Sequence, residues 1–316
     1  MNITIMLQQM GVICILVSIG FCLQKKGVVD SLTSKKLSAI VVDVCNPALI
    51  LASILSGNIT AGHEDLINAI IIGAVFYALL VCIGFIMPHI LRVAPDKRKF
   101  YNLMCVYTNT GFLGIPVAKA ILPANAIIYV IVINVFYSLF FYTHGLTVLG
   151  NGETTPESAG KKKENPLRSI FNPGTVMAIL ALVVFWFSLE LPPIIANTVE
   201  YVGNATVFLS MVMLGVSIAR SNILKSIKDA RIWIFIVLRL VALPVLIVLV
   251  MNALSFDKTA TLGMALMASV PVGNLPMIQA EKKGMDTTIL SSAVAITTTV
   301  SMVTITALIA VATALL

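Results

Sequence analysis

Two short stretches of this chain place helix-breaking and polar residues inside apolar segments. One reads NTGFLGIPVAK over residues 109–119, and the other reads PVGNLP over residues 271–276. Glycine weakens a helix interior, and proline lacks a backbone N–H and clashes with the preceding turn, so each stretch is expected to unwind its helix. The alternatives are a mere kink or close helix packing. The half-helices after the breaks are expected to begin at Ile115 or Pro116 and at Pro276 or Met277.

The start of such a half-helix is suited to binding an anion. Its first N–H groups have no partner within the helix and carry partial positive charge. Neutral amide and hydroxyl side chains nearby can orient a carboxylate, although each could instead cap the backbone. The predicted substrate-binding residues are Asn109, Thr110, Gly111, Gly114, Pro116, Pro271, Gly273, Asn274 and Pro276.

Ionisable and amide side chains within other apolar segments are candidates for coupling or charge relay, because an ionisable group in a membrane is costly. Lys119 lies about 5 Å beyond Pro116 at helical rise, and either attracts an anion or extends to the surface. Asp43 and Arg239 fall at similar calculated depths, so an ion pair between them is geometrically feasible. This second set comprises Asp43, Asn46, Lys119, Glu200, Asn204 and Arg239.

The chain that must position these residues has the composition of a membrane protein. Its 316 residues are 59% hydrophobic and 11% charged, with a mean hydropathy of +1.00. A membrane-spanning helix needs about 20 apolar residues. Ten windows fit this length: 4–24, 36–56, 66–90, 100–122, 125–149, 171–191, 194–219, 231–254, 259–281 and 287–314.

The positions of lysine and arginine predict how the ten segments are oriented. Of the 21 Lys and Arg residues, 18 fall in every second loop, whereas the loops on the other side contain only Lys258. Basic loops face the cytoplasm, so we predict a multi-pass protein of the cell membrane with both termini outside. The net charge of +7 reflects this topology, and we expect no nucleic-acid partner.

A polar segment divides the ten windows into two sets of five. We predict a first five-helix repeat over 1–150, a cytoplasmic linker over 151–168 and a second repeat over 169–316. Five spans per half would insert the second half in the opposite direction, as an inverted repeat. Corresponding motifs support this, since Gly111 and Pro271 are 160 residues apart and Asn46 and Asn204 are 158 apart.

The same motifs resemble those of the auxin efflux carrier family, which includes bacterial malonate or malate carriers and the plant PIN-formed auxin exporters. The resemblance covers essentially the whole chain. It rests on NTGFLGIPVAK at 109–119, Asn46 with Pro47, RLVALP at 239–244 and VPVGNLP at 270–276.

This resemblance implies an all-α fold of ten transmembrane helices in two inverted repeats, similar to sodium–bile acid symporters, with broken helices 4 and 9 crossing at the substrate. It also implies a homodimer formed through a scaffold of spans 1, 2, 6 and 7. In the plant exporters, residues matching Asn109, Pro116 and Pro276 shape the carboxylate site. This chain lacks their long cytoplasmic loop. We therefore do not expect regulation through such a loop, and we do not infer auxin as the substrate.

Together these features predict a secondary carrier of small organic anions, chiefly carboxylates, that works by alternating access. The coupling ion is left open between a proton, sodium and neither. A sodium-coupled, bile-acid-like symporter is one alternative, and a membrane receptor without transport is another. No HExxH, GxSxG or Walker-type glycine motif is present, so we predict no enzymatic activity, catalytic residue, metal or cofactor.

Overall fold

The computed structural model describes residues 3–55, 62–150, 171–220, 228–283 and 285–315, and these ranges are almost entirely helical, without a β-strand. The predicted linker at 151–168 lies outside the described residues. Three helices have short π-helical turns in their interiors and a fourth begins with one, so the helices are not uniform cylinders.

The residues described before position 150 form six α-helices. They are α1 (Ile3–Lys25), α2 (Ser31–Ile40, a π-helical turn Val41–Cys45, then Asn46–Leu55), α3 (His63–Ile90), α4 (Arg98–Val106), α5 (a π-helical turn Thr110–Gly114, then Ile115–Ile121) and α6 (Ile127–Phe140, a π-helical turn Phe141–Gly145, then Leu146–Leu149).

The second half also forms six helices among its described residues. They are α7 (Pro173–Trp186), α8 (Pro193–Arg220), α9 (Ala230–Ile236, a π-helical turn Val237–Ala242, then Leu243–Ala253), α10 (Lys258–Ser269), α11 (Asn274–Lys282) and α12 (Thr288–Leu315).

Side chains fix where several of these helices begin. Asp30 accepts a hydrogen bond from the N–H of Thr33 at 2.7 Å, and Asp257 accepts one from the N–H of Thr259 at 2.9 Å. Such caps satisfy N–H groups that have no partner within the helix. The N–H of Thr33 also holds the pKa of the exposed Asp30 carboxyl below its ordinary value.

Within the described ranges, six helical segments are long and apolar enough to cross a membrane. They are Leu32–Leu55, His63–Ile90, Ala124–Leu149, Pro193–Arg220, Ala230–Ala253 and Thr288–Thr313. Shorter apolar helices occur at Gly11–Lys25, Thr110–Ile121 and Pro173–Trp186. The protein is therefore a multi-pass, all-helical membrane protein, whereas ten crossings and an inverted repeat stay predictions.

Close backbone packing joins α8 to α1 and α2. A Cβ atom at Gly20 would overlap the carbonyl of Val212, and one at Gly215 would overlap the carbonyl of Val17. A Cβ at Gly203 would lie 2.9 Å from Cα of Leu49. Small residues allow such approaches between membrane helices, so α1, α2 and α8 form one tightly packed layer.

The short helices α5 and α10 lie deep within the protein. Helix α5 contacts α1, α2, α6 and α8, while α10 contacts α6, α9 and α12. By contrast, α3 exposes large apolar side chains such as Ile71, Val75 and Leu79, as expected of a lipid-facing surface. The interrupted helices are thus surrounded by protein, which is where broken backbone is tolerated in a membrane.

Candidate functional site

The two interruptions in the chain meet at one point. Helix α4 ends at Val106 and α5 begins at Thr110, while α10 ends at Ser269 and α11 begins at Asn274. The connecting segments, 107–109 and 270–273, run antiparallel and form a single β-bridge between Thr108 and Val272. We call this meeting point the crossing.

Backbone groups freed by the breaks bond to each other across the crossing. The N–H of Asn109 donates to the carbonyl of Pro271 at 2.7 Å, and the N–H of Gly273 donates to the carbonyl of Tyr107 at 3.0 Å. These bonds remove much of the cost of interrupting two helices away from water. Gly273 is required by this approach, because a Cβ there would lie 2.8 Å from the carbonyl oxygen of Thr108.

The half-helices begin earlier in the chain than we predicted from the sequence. Helical structure begins at Thr110 and Asn274, not at Ile115 or Pro116 and at Pro276 or Met277. Gly111, Gly114 and Pro116 therefore lie within α5, and the unwound residues precede them.

A π-helical turn explains how α5 contains Pro116 without breaking there. The N–H of Gly114 donates to the carbonyl of Asn109 at 2.9 Å, and the N–H of Ile115 donates to that of Thr110, so both bonds span five residues. This wider turn relaxes the clash between the proline ring and the preceding turn. Pro276 is the third residue of α11, where a missing N–H removes no helical hydrogen bond.

Asn109 caps α5 and keeps one amide group free. Its Oδ1 accepts a hydrogen bond from the N–H of Phe112 at 3.2 Å. Its Nδ2 is buried, since the residue is only 3% exposed, and it has no hydrogen-bond partner in the described part of the chain. A buried donor without a partner costs about 1 to 3 kcal/mol, so it marks a position where a ligand oxygen would be stabilised.

Other amide and hydroxyl side chains gather around the start of α5. The hydroxyl of Thr110 donates to Oδ1 of Asn134 on α6 at 3.0 Å. Nδ2 of Asn46 on α2 lies 3.1 Å from where a Cβ of Gly111 would be, and its Oδ1 is buried without a partner among the described residues. Gly111 thus leaves the room in which Asn46 and Asn134 approach α5.

The α11 side of the crossing has a similar polar character. Oδ1 of Asn274 is buried and unpartnered within the described ranges. The N–H of Val272 donates to Oγ1 of Thr297 on α12 at 3.1 Å. On the α10 side, Sδ of Met267 lies 3.2 Å from a hypothetical Cβ of Gly114, so Gly114 permits close packing of α5 on α10.

Arg239 is fully buried beside the crossing, at 0% exposure. Its Nε donates to the carbonyl of Cys105 at 2.7 Å and its Nη1 donates to the carbonyl of Ala268. These carbonyls belong to the last turns of α4 and α10. Its Nη2 has no partner in the described part of the chain.

Asp43 and Arg239, whose calculated depths made an ion pair feasible, do not pair in the structure. Asp43 is exposed and lines a cleft between α2, α7 and α8, together with Met177 and Val202. Helical rise gives the depth of a residue but not the direction of its side chain, so similar depths did not imply contact.

Three predicted residues lie together at the far end of α5. Nζ of Lys119 donates to Oδ1 of Asn204 on α8 at 3.2 Å. Glu200 is exposed one helical turn before Asn204, on the same face of α8. Lys119 lies about 15 Å from Asn109 along the helix at helical rise, so it does not contact the crossing.

Comparison of the sequence with known proteins assigns the chain to a family. The family model described as "Membrane transport protein" matches residues 5–309, nearly the whole chain. The chain belongs to this family. It is the auxin efflux carrier family, so the resemblance found in the sequence is confirmed.

Two relatives within the membrane transport protein family support the assignment. An uncharacterized transporter of Methanothermobacter thermautotrophicus is 26% identical over 299 residues, which cover 93% of this chain and 94% of the relative. An uncharacterized transporter of Methanocaldococcus jannaschii is 22% identical over 306 residues, with the same coverage of both chains. The similarity therefore extends through both halves of this family member.

Several polar residues that lie at the crossing of this transport protein were not identified from the sequence. Asn134 had a usable signal, because it interrupts the apolar run IIYVIVIN at 127–134. Thr297 lies in a run of three threonines that gives no indication of which one bonds to Val272. Tyr107 was also missed, although its carbonyl forms one of the bonds across the crossing.

Proposed function

We propose that this protein is a secondary carrier of small organic anions, principally carboxylates, and that the substrate binds at the crossing. The observation that carries the proposal is the buried, unpartnered Nδ2 of Asn109 at the N-terminal end of α5. This position has an N–H donor without a partner and lies at the positive end of a half-helix. A carboxylate oxygen would accept a hydrogen bond from the donor and would be attracted by the positive end.

The electrostatics of the crossing favour an anion that binds reversibly. Helices α5 and α11 both begin there, so the partial positive charge of each first turn lies in the same region. In α5 the N–H groups of Thr110 and Phe112 already bond to Thr108 and Asn109, so this attraction is mainly that of the helix end as a whole. The polar side chains at the start of α5 are neutral: they are the amides of Asn109 and Asn46 and the hydroxyl of Thr110, which donates to Asn134. The side chains at the starts of α5 and α11 carry no full charge, so an anion that leaves them does not unpair a full charge on either helix.

Alternating access is supported by the distribution of packing. The layer of α1, α2 and α8 is held by close backbone contacts at Gly20, Gly203 and Gly215. At the crossing, the two connecting segments are instead joined by the two backbone hydrogen bonds that form the β-bridge. We propose that the crossing and its surrounding helices move as a unit against that layer, within a homodimer in the cell membrane.

A binding screen on the purified full-length protein tests the substrate class. Thermal unfolding is measured with acetate, malonate, succinate, malate and indole-3-acetate, and with choline as the cation control. We expect at least one carboxylate to raise the melting temperature saturably, because a ligand bound to the folded state stabilises it. Stabilisation by choline and by none of the carboxylates would contradict the proposal.

Variants then locate the binding site. Asn109→Ala should weaken binding of the active carboxylate by about 1.5 to 3 kcal/mol, the range for losing a hydrogen bond to a charged group. Asn252→Ala removes the same type of side chain from an exposed position at the end of α9 and should leave affinity unchanged. Uptake of the radiolabelled carboxylate into proteoliposomes should follow the same order.

A further inference from the structure

The crossing contains two negative helix ends as well as two positive ones. Helices α4 and α10 terminate there, and the last carbonyls of a helix carry partial negative charge. Without a cation nearby, these negative ends would repel an anion and so weaken the attraction that the starts of α5 and α11 exert on it. A cation at the ends of α4 and α10 would remove that opposition.

Arg239 supplies a cation at this position. It lies in the π-helical turn of α9, is fully buried, and donates to carbonyls in the last turns of both α4 and α10. Within the described ranges its hydrogen-bond partners are these two backbone carbonyls and no carboxylate. The guanidinium charge is therefore balanced by helix ends and is not cancelled by an acidic side chain.

We infer that Arg239 is a resident cation of the carrier, which takes the place of a co-transported metal cation at the C-terminal ends of α4 and α10. This inference rests on the proposed anion site. In secondary carriers, unwound carbonyls and half-helix C-termini are where a coupling sodium ion binds. Here a covalently attached guanidinium bonds to those carbonyls, so carboxylate binding does not require sodium.

The unpartnered Nη2 of Arg239 adds to this role. It is a buried charged donor without a partner in the described residues, and such a group is stabilised by an anion nearby. Arg239 acts as a positioning residue: it fixes both helix ends through its two bonds and contributes long-range positive charge to the crossing.

The first test measures cation dependence in the unaltered protein. Thermal unfolding and binding of malonate and succinate are compared in sodium chloride and in choline chloride at equal ionic strength. We expect the same melting temperature and the same affinity in both salts. A saturable stabilisation by sodium, or carboxylate binding that requires sodium, would overturn the inference.

The second test replaces the resident cation. Arg239→Ala should lower the melting temperature by roughly 5 to 10 °C, because two hydrogen bonds from a charged group are lost. Guanidinium chloride at low millimolar concentration should recover at least half of that loss by entering the vacated space, whereas choline chloride should not. Arg231→Ala is the matched control, since it removes an exposed arginine from the same helix.

Each outcome of the second test counts for or against the inference. A folded Arg239→Ala variant that guanidinium fails to stabilise, or an equal response from Arg231→Ala, refutes it. If Arg239→Ala does not fold, Arg239→Lys should fold and remain independent of sodium because the charge is retained, and sodium dependence in that variant refutes the inference. The stability measurements need no substrate, so a failure of the anion-carrier proposal is recognised separately by the absence of any carboxylate effect.

Discussion

Replacing Asn109 with aspartate separates its structural role from its proposed binding role. The cap of α5 uses Oδ1, which accepts from the N–H of Phe112, whereas the proposed ligand contact uses Nδ2. Aspartate retains an equivalent cap oxygen and ranks with asparagine at this position of a helix. Asn109→Asp should therefore preserve α5 while converting a donor into an acceptor.

The expected loss of affinity is large. Losing a hydrogen bond to a charged group costs about 1.5 to 3 kcal/mol, which is roughly a 10- to 150-fold weaker Kd. A negative charge about 4 Å from the bound carboxylate adds about 4 kcal/mol of repulsion at an effective dielectric constant of 20. Binding by Asn109→Asp should thus fall by more than about 1,000-fold when the new carboxyl group is ionised.

The effect should depend on pH with a defined sign. Protonation of the new carboxyl group removes the repulsion and restores an O–H donor, so affinity should recover as pH falls and decline as pH rises. The unaltered protein has no carboxylate at this position and provides the reference at each pH. Asn252→Asp, at an exposed position on α9, provides the matched control for adding a charge.

Calorimetry or thermal-shift titration with the active carboxylate measures the affinity of each variant at each pH. The melting temperature of each ligand-free variant is measured alongside. Asn109→Asp should unfold near the temperature of the unaltered protein, whereas Asn109→Ala should lose about 1 kcal/mol through the missing cap. Unchanged affinity in Asn109→Asp across the pH range would mean that the carboxylate binds elsewhere.

Two further substitutions test the geometry of the crossing and its approach. Gly273→Ala should destabilise the protein by about 1 to 3 kcal/mol and abolish uptake, because the new Cβ would meet the carbonyl of Thr108 at 2.8 Å. Gly11→Ala, where a Cβ meets nothing within 4 Å, should retain stability and uptake, and equal behaviour of the two variants would contradict close packing at the crossing. Lys119→Ala should slow uptake from the side of the membrane that Lys119 faces, more at low than at high ionic strength, because salt screens long-range attraction. Lys258→Ala, which removes an exposed lysine at the start of α10, should change uptake little, and the same salt-sensitive loss in both variants would indicate a general surface effect.

The sequence alone was sufficient to predict the class of protein and its family. Apolar windows report directly on membrane-spanning helices, because a bilayer requires about 20 apolar residues irrespective of how the helices pack. The motif NTGFLGIPVAK at 109–119 carried the family resemblance that the match over residues 5–309 confirmed. These are local properties, and a local pattern is enough to specify them.

The sequence also predicted that two helices break, but not where. Glycine and proline indicate that a regular helix is unfavourable nearby, yet Pro116 and Pro276 are accommodated within α5 and α11. The breaks occur at Thr108 and Val272 because each segment supplies the hydrogen-bond partners that the other lacks. That compensation involves residues more than 160 positions apart, so neither segment reveals it by itself.

Tertiary structure alone decided the partners of the charged residues. Asp43 and Arg239 were matched by depth, but depth along a helix does not fix the direction of a side chain, and Arg239 instead bonds to the carbonyls of Cys105 and Ala268. Backbone carbonyls are present at every position and leave no trace in the residue types. The residue types therefore showed that a charge is buried, whereas only the packing of α4, α9 and α10 determined which groups balance it.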